Sequence, residues 1–557
     1  MQLEGCAAGR PPLPCREFEL ERAKQEVVRS RQLELPNASD LLLGALIGAL
    51  AFWVEPGSVK SAVLVLLGMF ALLWRRSGGA GTERDRTRLI VLLAMASLVL
   101  AGGRQTATFV TTQKVRVWNV YHYYLGAKYF EELGYTDLYD ATLRADREGR
   151  DYWRDIDRVR DLITYEVVDR DKTEIAFDPS DSFSPERWRD FRQDVEALSG
   201  QRSPARWKGI FRDRGFNASP VWVVVGSTLA NLAPTDRPLA LKFLCSLDLP
   251  LLVATFWLLL HVFGLRQASL VLLLLTSSPV NANRFVGGFL QYDWFCAVAL
   301  AVCFYRMHKP KLAAFLMAYA VLTRVFPLLF VLAGLLPILW KWWTTRRPPL
   351  RERHFLVAFL GWCALLLALS LFNGRGVGGW REFVANITTH KQHHVFGERR
   401  VGLQFLFTHK LGSFDTDESV REREKTFEDQ HGFYLAGAAA MMVVFLIVAR
   451  KQTPWDAQIL GLVPVFALLV TSRYYWSYLA LIPLVGWRRG PPLNNARRLG
   501  AGQLALFATF YLYDALGGGT YSTYVVFNIS LAAYLLFVLV EKAFARPATS
   551  RAATGSS

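Results

Sequence analysis

LAAFLMAYAVLTRVFPLLFVLAGLLPILWKWW occupies Leu312–Trp343 and carries one charged residue, Arg324, before Lys341. About 20 residues of helix cross about 30 Å of hydrocarbon, so a run this long is more than one crossing. Pro327 biases the residue before it away from helix, which puts the break in TRVFP. Two apolar segments result, 312–323 and 326–343, and Lys and Arg flank the pair on both outer ends. The unit is two crossings joined by a tight turn that holds a lone arginine.

The same pattern extends in both directions. Apolar blocks fall at 41–54, 59–74, 89–103, 239–264, 267–281, 291–306, 312–323, 326–343, 354–373, 432–450, 456–471, 476–488, 499–516 and 523–541. The fold expected is an all-α polytopic membrane protein with a bundle of about 12–14 transmembrane helices. Composition agrees, with 52% hydrophobic and 20% charged residues in a chain of 557 and a mean hydropathy of +0.20. Such a chain is neither disordered nor a disulfide-stapled miniature. Cys6 and Cys15 lie in the polar N-terminal stretch, and the other four cysteines lie inside apolar blocks. No disulfide framework is implied.

Basic residues set the orientation. With the N-terminus inside, the short inside loops hold 20 Lys and Arg and the short outside turns hold 4. Cytoplasmic loops collect these residues. That also accounts for the net charge of +17 without nucleic acid as a partner. Both termini are therefore expected in the cytoplasm, and membrane lipids are the surrounding partner. The organisation read from this is a cytoplasmic tail over 1–39, two additional N-terminal spans over 40–88, and a membrane core over 89–373 that includes a large outer loop, 104–238. A second outer loop follows over 374–431, then C-terminal spans over 432–541 and a disordered cytoplasmic tail over 542–557. Both large loops land outside and are expected to carry interfacial helices. The first is rich in aromatic residues (VWNVYHYYLGAKYF), which suit headgroup depth.

Chemistry points to the outer face. His122, His390, His393, His394, His409 and His431 all map there, against three histidines at inside ends. The outer turn NANRFVGGFLQYDWF packs Arg284, Gly287, Gly288 and Asp293 into ten residues. Its paired glycines let backbone approach a ligand. Asp293 is the leading acid candidate, with a local pair to Arg284 or a helix-start position as the plainer alternatives. Arg324 and Arg473 each stand in a tight outer turn. Their planar forks match phosphate oxygens, with headgroup anchoring as the alternative. H-x-x-H-H at His390, His393 and His394 suits sugar or phosphate contact and lacks a third ligand for zinc, so no metal site is assigned. Asp248, an acid inside an apolar block, requires a partner.

The segment Trp118–Leu133 reads as a helix closed by Gly134, followed by YTDLYD. Short spans with tight outer turns come next, then WREFVANITTH (Trp380, Phe383, Asn386, His390) and a Val401-Gly402-Leu403 segment. Over about 89–490 this resembles the GT-C class of integral-membrane glycosyltransferases, in particular the bacterial polyprenol-phosphate-dependent mannosyltransferase-like proteins. The resemblance implies a GT-C-like bundle in the bacterial cytoplasmic (inner) membrane. It implies inverting transfer of a sugar from a polyprenyl-phosphate-linked donor to a glycan or glycolipid acceptor on the extracytoplasmic face. It also implies substrate contact for Trp380 and a divalent cation as a candidate cofactor. That class carries an Asp or Glu early in the first outer loop, where this chain has Asn119 and His122. His122 takes the role of base, or Asp137 or Asp140 folds back into it, or the activity is absent; Asp140 is also a candidate N-cap. Competing classes are a lipid or polar-solute transporter or flippase, which would show midplane sites and inverted repeats, and a non-catalytic envelope-assembly protein.

Asp151→Cys and Asp415→Cys test the orientation. Both should label with an impermeant thiol reagent in intact cells; protection of both would reverse it.

Overall fold

The computed structural model describes residues 38–39, 41–42, 83–112, 114–171, 177–232, 238–280, 285–346, 350–409, 420–487 and 494–544. Arg284, the side chain of His393, and nearly all of the 1–39 and 40–88 assignments lie outside the described residues, as does 545–557. Each of the other twelve apolar blocks falls on helical backbone. Among the described residues six helices are long and apolar enough to cross a membrane: Asp85–Gly103, Pro238–Phe263, Leu328–Thr345, Arg351–Phe372, Arg421–Ala449 and Thr520–Ala543. Among the described residues the sheet is two short antiparallel ladders, Arg158–Arg160 with Val167–Asp169 and Arg400–Val401 with Thr471–Ser472. The chain is an all-α integral membrane protein.

Length sorts the helices by depth in the bundle. Leu265–Ser277 and Asp293–Arg306 have 13 and 14 residues, about 20 Å at 1.5 Å per residue. Both are buried almost throughout, so protein surrounds them. Short or irregular backbone at membrane depth is tolerated where protein covers it. The longer helices outside them expose apolar side chains such as Trp257, Leu360 and Val443, as a lipid-facing surface requires.

The Leu312–Trp343 run divides as its sequence predicts, into Pro310–Arg324 and Leu328–Thr345. The break is a γ-turn: Val325 has φ 56° and ψ −53°, and the Phe326 amide donates to the Arg324 carbonyl at 2.6 Å. This hand of γ-turn is rare and strained, and a β-branched residue makes it more so. The strain sits beside Arg324.

At the same end of the bundle the 114–232 segment folds around its own aromatic core. Trp153, Trp207, Trp222, Tyr121 and Tyr139 are fully buried there. Its helices Pro185–Ser199, Pro204–Ile210 and Pro220–Asn231 each start with Ser-Pro, where proline's fixed φ and missing N–H suit the first turn. Ser184 and Ser219 accept hydrogen bonds from the amides of Arg187 and Trp222, the usual serine N-cap. A nearly continuous helical stretch from Val117 to Leu133, with a wide π-turn at Val120–Leu125, ends at Gly134 with φ 54°.

The irregular 285–292 turn ties this folded loop to the bundle. Asp248 accepts the amides of Gln291 and Tyr292 at 2.9 Å each. Asn119 Oδ1 accepts the Phe289 amide. The Gly287 amide donates to the Cys245 carbonyl at 2.9 Å, and its carbonyl accepts from the Arg116 amide at 2.8 Å. Gly287 and Gly288 therefore admit neighbouring side chains rather than a ligand: a Cβ on Gly287 would lie 3.2 Å from Arg116 Cγ, and one on Gly288 3.0 Å from Asn119 Oδ1.

Asp248→Ala should leave two buried amides without an acceptor, at about 1–3 kcal/mol each. Asp248→Asn, which keeps one acceptor oxygen, should cost less. Thermal unfolding in detergent reads both, and an Ala variant as stable as the parent would contradict this role.

Candidate functional site

The loop face holds a cavity of about 700 Å³. Its walls come from the Val117–Leu125 helical start, the 202–217 stretch, the end of the 285–292 turn, and the last residue of Pro310–Arg324. The remaining walls are His390 near the end of Gly376–His394, the Arg400 ladder, and the first residues of the 3-10 helix Arg473–Leu484. Every wall is a loop or a helix end. Among the described residues lining it are seven arginines (Arg116, Arg202, Arg206, Arg214, Arg324, Arg399 and Arg400), two histidines and a single carboxylate, Asp213. Tyr123, Tyr292, Tyr474, Tyr475 and Trp118 supply aromatic surface.

Asp213 sits in the turn RDRGFN, residues 212–217. Gly215 has φ 64°, and a Cβ there would come within 2.7 Å of Leu162. Only glycine takes that conformation and that space without strain. Its amide donates to the Tyr139 hydroxyl at 3.2 Å. The turn thereby presents Asp213, Arg214 and Asn217 to the cavity together. Trp118 Nε1 donates to Asp213 Oδ2, and His122 Nδ1 lies 4.0 Å from the same oxygen.

Arg324 enters from the strained γ-turn. Its guanidinium lies 5.6 Å from the Tyr123 ring centre and 6.0 Å from that of Trp222, within cation–π range. Its Nε is buried with no hydrogen-bond partner among the described residues. Tyr123 is fixed by its own hydroxyl, which donates to Asn217 Oδ1 at 2.7 Å. The rings of Tyr474 and Tyr475 lie 4.5 Å apart, on the same side as Arg324. Arg400 is pushed down to about 10, first by burial and next by the Arg214 charge. Burial, then Arg160, lowers Arg214. Positive charge is concentrated here to a degree that disfavours itself.

The residues singled out in the sequence distribute as follows. Arg324 and His390 line the cavity. His122 lines it too but is engaged within the protein: Nδ1 is 2.7 Å from the Trp118 carbonyl and Nε2 is 2.8 Å from the Tyr139 hydroxyl. Burial lowers its pKa, partly opposed by Asp213. Asp293 is not among the lining residues. Trp222 Nε1 and the Tyr319 hydroxyl donate to it at 2.9 and 2.7 Å, which engages its carboxylate within the protein. Arg473 stands beside the cavity and donates to the Tyr524 hydroxyl at 3.1 Å. Trp380 donates to Ser370 Oγ at 2.8 Å, away from it. Asp140 lies in the first turn of Leu138–Arg147, with Asp137 at the N-cap position instead. Asn119 lines the cavity, and its Oδ1 accepts the Phe289 amide.

Asp213, Arg214 and Arg400 are the residues that sequence reading passed over. The available signal was a glycine turn in an arginine-rich stretch between two Ser-Pro helix starts. For a divalent cation the walls are unsuitable: one carboxylate among seven arginines is a poor donor set, and among the described residues no cluster of three His, Cys, Asp or Glu forms. No family model, curated protein or solved structure matches the chain.

Asp140 yields a pH test. Burial, reinforced by Asp137 and Asp161, raises its pKa to about 8. The folded state then binds a proton that the unfolded state releases near 3.9, so wild-type stability falls as pH rises through that window. Asp140→Asn should gain Tm over the parent progressively from about pH 4 to 8 and level off above. A gap independent of pH would contradict the burial.

Proposed function

We propose that this protein transfers a sugar from a polyprenyl-phosphate-linked donor to an acceptor at the extracytoplasmic face of the membrane. The observation that carries the reading is the cavity of seven arginines around one carboxylate, at the end of a membrane bundle. Guanidinium forks suit phosphate oxygens, and an apolar bundle beside them suits a polyprenyl chain. The excess of basic residues in the short loops of the other face supports an outward-facing cavity. The GT-C likeness of the large first loop and tight turns adds to it.

In this reading Arg324 takes the donor phosphate, since its unpartnered Nε and flanking Tyr123 and Tyr475 lie where a lipid-linked group would enter from the bundle. Asp213 takes the place of the family's early acid. The acceptor hydroxyl attacks C1, its proton passes to Asp213, and the C1–O bond to phosphate breaks. The leaving phosphate keeps the bonding electrons and is stabilised by arginine, so configuration inverts. His122 orients Trp118 and Tyr139 around the acid instead of acting as the base, because both ring nitrogens are engaged. A transporter reading would call for a site at mid-helix depth, whereas the lining residues lie in loops and at helix ends.

Membranes carrying the protein, supplied with a panel of undecaprenyl phosphohexoses, should release undecaprenyl phosphate. Asp213→Asn should lower that rate by roughly 10²–10⁴-fold, the range for loss of a general base. His122→Gln should cost much less. A fully active Asp213→Asn variant would remove the proposed base.

A further inference from the structure

Trp118 differs from Trp153, Trp207 and Trp222 of the same folded loop. Those three are fully buried, whereas Trp118 is 48% exposed and lines the cavity. Its one ring neighbour among the described residues is His122, tilted by 58° at 6.4 Å. Yet the indole is held at both ends. Nε1 donates to Asp213 Oδ2. At the other end the six-membered ring rests on Gly209, where a Cβ would lie 3.2 Å from Cζ3 and 3.4 Å from Cη2. The backbone beneath is pinned as well, since the Trp118 carbonyl lies 2.7 Å from His122 Nδ1. Gly209 belongs to helix Pro204–Ile210, and the Asp213 amide donates to the Ile210 carbonyl at 3.0 Å. One short helix therefore sets both the ring and the carboxylate.

An indole fixed at both ends and left open is a rigid apolar surface that a ligand can cover, at little cost in conformational entropy. A membrane-interface anchor would point its N–H to headgroups, but here the N–H is committed to a carboxylate of the cavity. A pyranose ring matches this arrangement. Its axial C–H groups form an apolar face, and covering the indole with it removes apolar area from water. Its equatorial hydroxyls lie at the rim, which falls beside Nε1 and therefore beside Asp213. The Asp213 side chain stays 40% exposed while Trp118 engages Oδ2, and a base must come within about 3 Å of the hydroxyl it deprotonates. We infer that Trp118 is the stacking platform for a pyranose ring of the acceptor, with the accepting hydroxyl on that ring's equatorial rim. The inference rests on the transferase reading and goes beyond it by naming the acceptor class and the residue that selects it. Arg324, 5.6 Å from the Tyr123 ring centre, marks the donor end, so the ring on Trp118 is assigned to the acceptor.

Saturation-transfer NMR and equilibrium binding test this on the full-length protein in phospholipid nanodiscs free of sugar detergents. The probes are methyl β-D-glucopyranoside, methyl β-D-galactopyranoside and methyl α-D-mannopyranoside, against sorbitol, which carries the hydroxyls without the ring. At least one pyranoside should bind, with saturation strongest on the C–H protons of one face, and sorbitol should not. Trp118→Phe keeps a ring and should keep part of the affinity. Trp118→Ala should lose roughly tenfold, the scale of one aromatic contact. If the indole only tethers Asp213, Phe and Ala lose alike, because neither has the N–H, and the inference falls. Should Trp118→Ala fail to purify as a monodisperse protein, Gly209→Ala decides. Alanine suits the helix better than glycine but displaces the indole, so pyranoside binding should weaken severalfold with no loss of Tm. Equal binding of sorbitol and the pyranosides by the parent overturns the inference, as does affinity unchanged in Trp118→Ala or, in its place, Gly209→Ala. Undecaprenyl phosphomannose and undecaprenyl phosphate are compared in parallel. If tighter binding of the sugar-bearing lipid disappears in Trp118→Ala, the stacked ring is the donor's and the acceptor assignment is overturned. Failure of both lipids to bind the parent counts against the donor reading alone, and the pyranoside comparison still decides this one.

Discussion

Backbone amides and carbonyls that cannot reach water must be satisfied within the chain, and this requirement positions the loop face of the molecule. The 285–292 turn shows how. Its amides are taken up by Asp248 from a helix of the bundle, by Asn119 from the folded loop, and by the Cys245 carbonyl. One irregular turn thereby locks two bodies of structure together. Arg116, whose amide joins the same turn, also donates through its side chain to Gln291 at 2.6 Å. The floor of the cavity is a consequence of these bonds.

The cavity in turn uses features that cost stability. Val325 holds a strained φ beside Arg324, Gly215 holds a turn that no other residue fits, and Arg400 is buried with the Arg214 charge in reach. Strained backbone persists where the surroundings determine it, and it gathers at functional sites. Here the surroundings are buried aromatics: Trp222 and Tyr123 under Arg324, Trp207 and Phe211 against Tyr121 and Tyr139. Their packing supplies the stability that the polar lining lacks.

Much of the membrane architecture is legible in the sequence because hydrocarbon imposes a length and a polarity that any span must meet. The break at Arg324 could be read from Pro327 and a lone charge. The short inner helices could be read as apolar blocks, though not their position inside the bundle, which depends on the longer helices packed around them. The site was partly legible. Arg324 stood out as a lone charge in an apolar stretch, and His390 as the first member of H-x-x-H-H. Asp213 and Arg214 did not, because they lie in a charged stretch where several acids and bases look alike, and only the left-handed Gly215 turn separates them. Asp293 was conspicuous for its position, yet Trp222 and Tyr319 absorb its carboxylate. Asn119 could be noted as a departure from an acid, but its bond to a backbone 170 residues away is invisible to local reading.

In the proposed function the arginine cavity holds a lipid phosphate through Arg324. Mass spectrometry of the lipids that co-purify with the protein tests it most directly, comparing the parent chain with Arg324→Ala and Arg324→Lys at equal expression. A polyprenyl phosphate, with or without its sugar, should accompany the parent protein. It should be absent from the Ala variant and reduced in Lys, which cannot make the two-pronged contact. The same bulk phospholipids on all three proteins, with no polyprenyl phosphate, would contradict it.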